Sequence, residues 1–103
     1  MARSLEAIEM DFGKAEQQAS ELEEIASSLE SMSDKDLGGT LDELAKDWTG
    51  DNAAKYLQKG EALQGNLETT ASAIQAVADV IRRIAEEIYE AEMRAWERAH
   101  DRD

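Results

Sequence analysis

The chain has 103 residues, room for one small domain and too few for a multidomain enzyme. Eleven Lys and Arg stand against 24 Asp and Glu, a formal charge of −13 that repels nucleic acid phosphates and anionic lipid headgroups. Pro and Cys are absent, the six Gly are few for a turn-rich β protein, and Ala, Glu and Leu are abundant, so the expected class is all-α without disulfides, thiolate nucleophiles or Cys-ligated zinc.

At the N-terminus, Glu6 and Glu9 intervene before an apolar run of about 7 to 15 residues can form, so no cleaved leader is expected. The longest strictly apolar stretch is Ala76-Val77-Ala78, far below the roughly 20 residues that cross a bilayer, and stable membrane insertion is not expected either. From Leu5 the apolar positions Ile8, Phe12, Ala15, Ala19, Leu22, Ala26 and Leu29 follow in steps of three and four, the spacing of a helix–helix seam. Ser4 is the expected N-cap, with Glu6 and Glu9 near the positive end of the helix dipole. After Leu29 the repeat slips by one before Leu37, Leu41, Leu44 and Trp48, placing an irregularity between Ser33 and Gly39. Gly38-Gly39, followed by Thr40 and Glu43 in a capping-box pattern, permits a restart at Thr40. A segment from Thr40 to Asp47 is too short to pair usefully with either long arm, so the preferred reading is a first helix over about 4–47, kinked near 38–39.

Trp48-Thr49-Gly50-Asp51 is the clearest punctuation: Gly50 suits a left-handed turn and Asp51 suits the next cap. A second seam runs Ala53, Tyr56, Gly60, Leu63, Leu67, Thr70, Ile74, Val77, Ile81, Ile84, Ile88, Ala91 and Ala95, predicting a helix over about 52–99 with a short tail at 100–103. The two helices are about 66 and 72 Å long at 1.5 Å per residue, and equal arms imply an antiparallel hairpin. Residues whose numbers add to about 100 then face one another, Leu41 beside Gly60 and Leu29 beside Thr70 or Ala71. A further apolar row, Ile25 and Met32 on the first helix and Ala71, Ala78, Ala85, Tyr89 and Trp96 on the second, implies another helical layer. Ordering the chain costs on the order of 150 kcal/mol of conformational entropy, which one thin seam does not offset. The expectation is therefore an elongated four-helix bundle made by two hairpins, with Leu22, Leu29, Leu67, Ile74, Val77, Ile81 and Ile84 in the seam.

Leu41 to Tyr56, reading LDELAKDWTGDNAAKY, resembles the midpoint of the WXG family, the early-secreted-antigen-like proteins of type VII (ESX) secretion, each of about a hundred residues. The resemblance extends over the whole chain: its length, its lack of Pro and Cys, two seam-bearing halves, Trp48-Thr49-Gly50 between them, and an acidic-aromatic segment near the C-terminus. It implies a hairpin that dimerises, is exported folded by a membrane-embedded ATPase-driven machine, and acts outside the cell or as carrier for a larger toxin. The implied partners are a second copy or a small sibling, the export ATPase and the toxin. The implied location is cytoplasmic before export and extracellular after it. The family's export signal is Y-x-x-x-[D/E]. Here Tyr89 is followed by Glu92 at +3 and Met93 at +4, while a looser pattern of an apolar residue, an acid at +4 and small residues beyond it is met by Ile88, Glu92, Ala95 and Ala99. Tyr89, Glu92 and Trp96 share one side of the helix and form a patch that a receptor can read, beside the N-terminal turn with Leu5 and Ile8. Trp48 has two readings, a docking anchor at the tip or a plug for the bundle end.

The alternative is a cytoplasmic structural or adaptor protein that binds another helical chain. No catalytic residue is expected. Glu23-Glu24 and Glu86-Glu87 are adjacent on helices and point about 100° apart. A di-iron bundle needs two Glu-x-x-His motifs, and the chain has one histidine, His100, in the expected tail. Gly38-Gly39 lacks the spacing and the following Lys-Ser/Thr of a phosphate loop. No cofactor and no metal are expected.

Overall fold

The computed structural model describes residues 3–47 and 50–101, Asp47 and Asn52 by backbone alone. Its regular structure is all helical: α1 (Leu5–Ser31), a π-helical segment (Met32–Leu37), α2 (Gly38–Asp47) and α3 (Asp51–His100). Within the compact unit of Glu23–Gln75 the helical stretches on either side of Gly50 pack side by side as a helical hairpin. The start of α1 follows from Ser4, whose Oγ accepts the Ala7 N–H at 3.2 Å and whose carbonyl accepts the Ile8 N–H at 3.1 Å. These contacts satisfy two of the donors that a helix leaves free at its N-terminus.

The slip after Leu29 is taken up at Met32–Leu37, just ahead of the glycine pair. Leu29, Ser33, Leu37 and Leu41 are spaced by four throughout, and such a row drifts by about 100° around an α-helix compared with three-four alternation. One extra residue per turn, the property of a π-helix, cancels that drift. The Gly38 N–H accordingly reaches back to the carbonyl of Ser33 as well as that of Lys35. Thr40 does not cap a new helix; its Oγ1 donates to the Asp36 carbonyl at 2.8 Å, within a run that continues into α2.

Gly50 has φ +109°, a left-handed conformation that β-carbon sterics disfavour for other residues. Its carbonyl accepts the Ala54 N–H at 3.1 Å, so Gly50 takes the N-cap position of α3, one residue earlier than the expected cap Asp51, which falls in the first turn. Glycine is acceptable at an N-cap, and the acidic side chain still faces the positive end of the helix dipole. Trp48 and Thr49 lie outside the described residues.

The chain divides into two compact units. In the one formed by Met1–Leu22 and Ala76–Asp103, Phe12 packs on Tyr89 and Arg82 Nε donates to Glu16 Oε2 at 3.3 Å. Ile8, Ala19, Ala78 and Ala85 are buried there. In the unit formed by Glu23–Gln75, Gln75 Nε2 donates to Glu23 Oε2 at 2.9 Å, Ser33 meets Gln64, and Leu41 lies against Gly60. Ala26, Ser33, Ala53 and Ala71 are buried there. Within each unit the partners' numbers add to about 100, the antiparallel register expected of the hairpin.

On α1 every residue of the expected seam from Leu5 to Leu29 is buried or half-buried. On α3 the inward face is rotated from the expected one. Ala53, Gly60, Leu67, Ile74 and Ile81 do turn inward, but their companions are Leu57, Gln64, Ala71, Ala78 and Ala85. Tyr56, Leu63, Val77, Ile84 and Ile88, expected in the same seam, are about half exposed. The reason is size: helices approach closely where alanine and glycine meet the larger residues of the partner helix, and the bulkier chains are left outside.

Candidate functional site

The expected patch at the C-terminal end lies in the unit that holds both chain ends. Ile8 is the first large residue of α1 to be buried, 1% exposed, and it anchors the first turns of α1 to α3. Around it Phe12, Asp11, Ile88, Tyr89 and Glu92 converge with Arg3 on a groove of about 310 Å³. The Tyr89 and Phe12 ring centroids are 4.8 Å apart, with the planes tilted by 40°. That is an aromatic pair within the distance at which such contacts stabilise beyond their buried area.

Glu92 is half-buried, and Arg3 Nη1 donates to its two carboxylate oxygens at 3.2 and 3.3 Å. The same nitrogen pairs with Asp11. The Arg3 guanidinium is held above its already high ordinary pKa, first by the hydrogen bond with Asp11 and then by that with Glu92. A base whose pKa rises on folding stabilises the fold below that pKa and loses the effect only as pH climbs through it, which for arginine is beyond any working pH. Arg3 therefore holds its charge between its two acids throughout the neutral range.

Of the expected patch, Tyr89, Glu92 and Ile88 are brought together on this groove, and Ile88 is 52% exposed. Trp96 is set one turn further on and stacks against His100, with centroids 4.2 Å apart and planes at 25°. His100 Nδ1 donates to the Trp96 carbonyl at 2.8 Å, so α3 continues through the histidine expected in the tail. Of the expected seam, Leu22, Leu29, Leu67, Ile74 and Ile81 are half-buried within the hairpin, whereas Val77 and Ile84 are 50% and 45% exposed.

Sequence reasoning missed two features. One is Arg3, whose role depends on residue 92 at the far end of the chain. The other is a polar layer in the unit of Glu23–Gln75. There Ser33 is fully buried; its Oγ donates to the Gln64 carbonyl at 3.1 Å and lies 3.4 Å from Glu68 Oε1, while Gln64 Nε2 donates to the Ser33 carbonyl at 3.1 Å. Neither Ser33 nor Gln64 is an expected seam position, and the one available signal was that their numbers add to about 100, as facing residues do. Among the described residues no group of three or more His, Asp or Glu is placed to hold a metal ion, and no helix is long and apolar enough to cross a membrane. Comparison with family models, curated proteins and solved structures finds no match.

Proposed function

We propose that this protein is a substrate of a type VII (ESX) secretion machine, exported as a folded helical dimer and acting as an effector or as carrier for a larger secreted toxin. The observation that carries this reading is the helical hairpin with its left-handed glycine, Gly50, ending Trp48-Thr49-Gly50 between the two arms. Tyr89, Glu92 and Ile88 on one groove support a recognition patch for the export ATPase, with Trp96 one turn beyond.

The second copy in the dimer is supported by apolar surface on α3. Tyr56 and Leu63 in one unit, and Val77 and Ile84 in the other, recur in multiples of seven along α3 and are each 45% exposed or more. The fully buried apolar side chains among the described residues are one isoleucine and six alanines, and the larger seam residues are only half-buried, a thin core that a further layer would thicken. A small sibling chain is the other candidate for that place. A cytoplasmic adaptor is the second reading, favoured by Met93 standing where the strict export pattern has an acid.

Release into the culture medium by cells with and without the export ATPase tests the reading. Release only when the ATPase is present is expected, together with retention of a Tyr89→Ala variant that remains helical and dimeric. Equal release from both strains rejects export by this route.

A further inference from the structure

The groove of the N-terminal turn and the end of α3 has a composition that specifies what fits it. Its floor is apolar, from Ile8, Phe12, Ala85 and Ile88, with the Tyr89 ring as a wall. Its rim holds two carboxylates, Asp11 and Glu92, both directed at the single guanidinium of Arg3. Among the described residues no other cation pairs with either acid.

Arg3 itself precedes α1, is held in place by its ion pairs with Asp11 of α1 and Glu92 of α3, and its side chain is 44% exposed. Exposed ion pairs of this kind contribute little and exchange readily with competitors. We propose that the groove is a docking site for a partner segment that presents an apolar side chain next to an arginine or lysine, with Arg3 occupying the cation's place until the partner arrives. The inference rests on the reading of Tyr89 and Glu92 as a recognition patch, and it names the chemistry of whatever recognises them.

Charge decides the sign of the partner. Displacing Arg3 leaves two carboxylates beside an apolar floor, on a chain that carries −13, so an incoming cation is attracted and an incoming acid is repelled. Arg3 reaches Asp11 and both Glu92 oxygens through one nitrogen, Nη1, a contact that an ammonium can also make, whereas an incoming arginine can in addition present its planar fork to both Glu92 oxygens. The apolar neighbour supplies burial, the cation supplies orientation, and Tyr89 becomes the aromatic edge of the contact.

The test uses the full isotope-labelled chain titrated with acetyl-phenylalanyl-arginine amide and, in parallel, with acetyl-phenylalanyl-glutamate amide. The arginine probe is expected to shift the backbone resonances of Ile88, Tyr89 and Glu92, and the glutamate probe to leave them in place. Arg3→Ala and Arg3→Gln, each verified as helical by circular dichroism, should bind the arginine probe about two- to fivefold more tightly, the scale on which an exposed ion pair competes. Adding Glu92→Gln to either should remove that gain. Unchanged affinity in both Arg3 variants, equal binding of the two probes, or no binding of either probe to the Arg3 variants overturns the proposal. ATPase-dependent release without probe binding overturns the groove alone, and probe binding with ATPase-independent release overturns the export reading alone.

Discussion

At Gly60 the backbone of α3 passes so close to Leu41 that an added Cβ would overlap the leucine's δ-methyls, whereas a Cβ at Gly65 would meet nothing within 4 Å. Both glycines lie inside a helix, where alanine is favoured by about 1 kcal/mol, so the two positions separate propensity from packing. Gly65→Ala is expected to raise the unfolding free energy by about 0.5–1 kcal/mol in a urea titration. Gly60→Ala should gain less than this because Leu41 must shift to admit the methyl, and Gly60→Val should lose about 1–3 kcal/mol through overpacking. Shortening Leu41 to Ala should relieve the Gly60→Val defect, which it will not do if the loss comes from the helix propensity of valine alone. Gly50 follows a third rule: a side chain there meets no neighbour, but φ +109° costs about 1–2 kcal/mol in left-handed backbone strain, so Gly50→Ala should destabilise despite open space.

Among the elements, the π-helical segment is where the hairpin departs from a regular seam. Ser33, within this segment, occupies the inward position that apolar residues fill on α1, and its hydroxyl and carbonyl are both bound by Gln64. Gly38 is small for the same reason, since a Cβ there would stand 3.1 Å from Gln64 Nε2 and 3.2 Å from the Ser33 carbonyl oxygen. Ser33→Ala should lower stability by about 0.5–1.5 kcal/mol, the net worth of a hydrogen bond, because the Gln64 carbonyl keeps its helical partner. Ser33→Leu should cost more by crowding the layer, and a urea midpoint at or above that of Ser33→Ala would show that the site has spare volume.

Much of this architecture was legible in the sequence. The α1 seam from Leu5 to Leu29, the Ser4 cap and the turn near Gly50 each rest on local spacing or local chemistry. The slip after Leu29 was legible as a slip, but not as a π turn, because the choice between a kink, a restart and an added residue depends on what Gln64 offers across the hairpin. The inward face of α3 was misread for a related reason. Two adjacent rows, one with Ala71, Ala78 and Ala85 and one with Val77, Ile84 and Ile88, both repeat at helical spacing, and hydrophobicity favours the bulky row. Close approach of two helices favours the alanines instead, and leaves the bulky row free for a second layer. In the candidate patch, Tyr89, Glu92 and Ile88 share a short stretch of α3 and were visible together, but Phe12 and Arg3 reach them only through the fold.

For the whole molecule, the charge that first excluded nucleic acids becomes a handle on assembly. The first fifty residues hold 13 acids and 4 bases, the remainder 11 and 7, so the excess lies mainly on the arm that ends at the turn. A homodimer doubles the charge of −13 to −26, and its apolar rows must associate against that repulsion. Raising salt from 0.1 M to 1 M shortens the screening length from about 10 Å to about 3 Å, so the dissociation constant of a homodimer should fall. Pairing with a sibling of opposite charge predicts the reverse, a constant that rises with salt as the attraction is screened. Sedimentation equilibrium of the chain alone at the two salt concentrations, then with a candidate sibling, reads both signs. Ile84→Glu should yield a helical monomer at every salt concentration, since it places a charge in the outer row while leaving the inward alanines untouched. A dimer that survives Ile84→Glu, or one whose dissociation ignores ionic strength, would mean that the second layer is built on a different face.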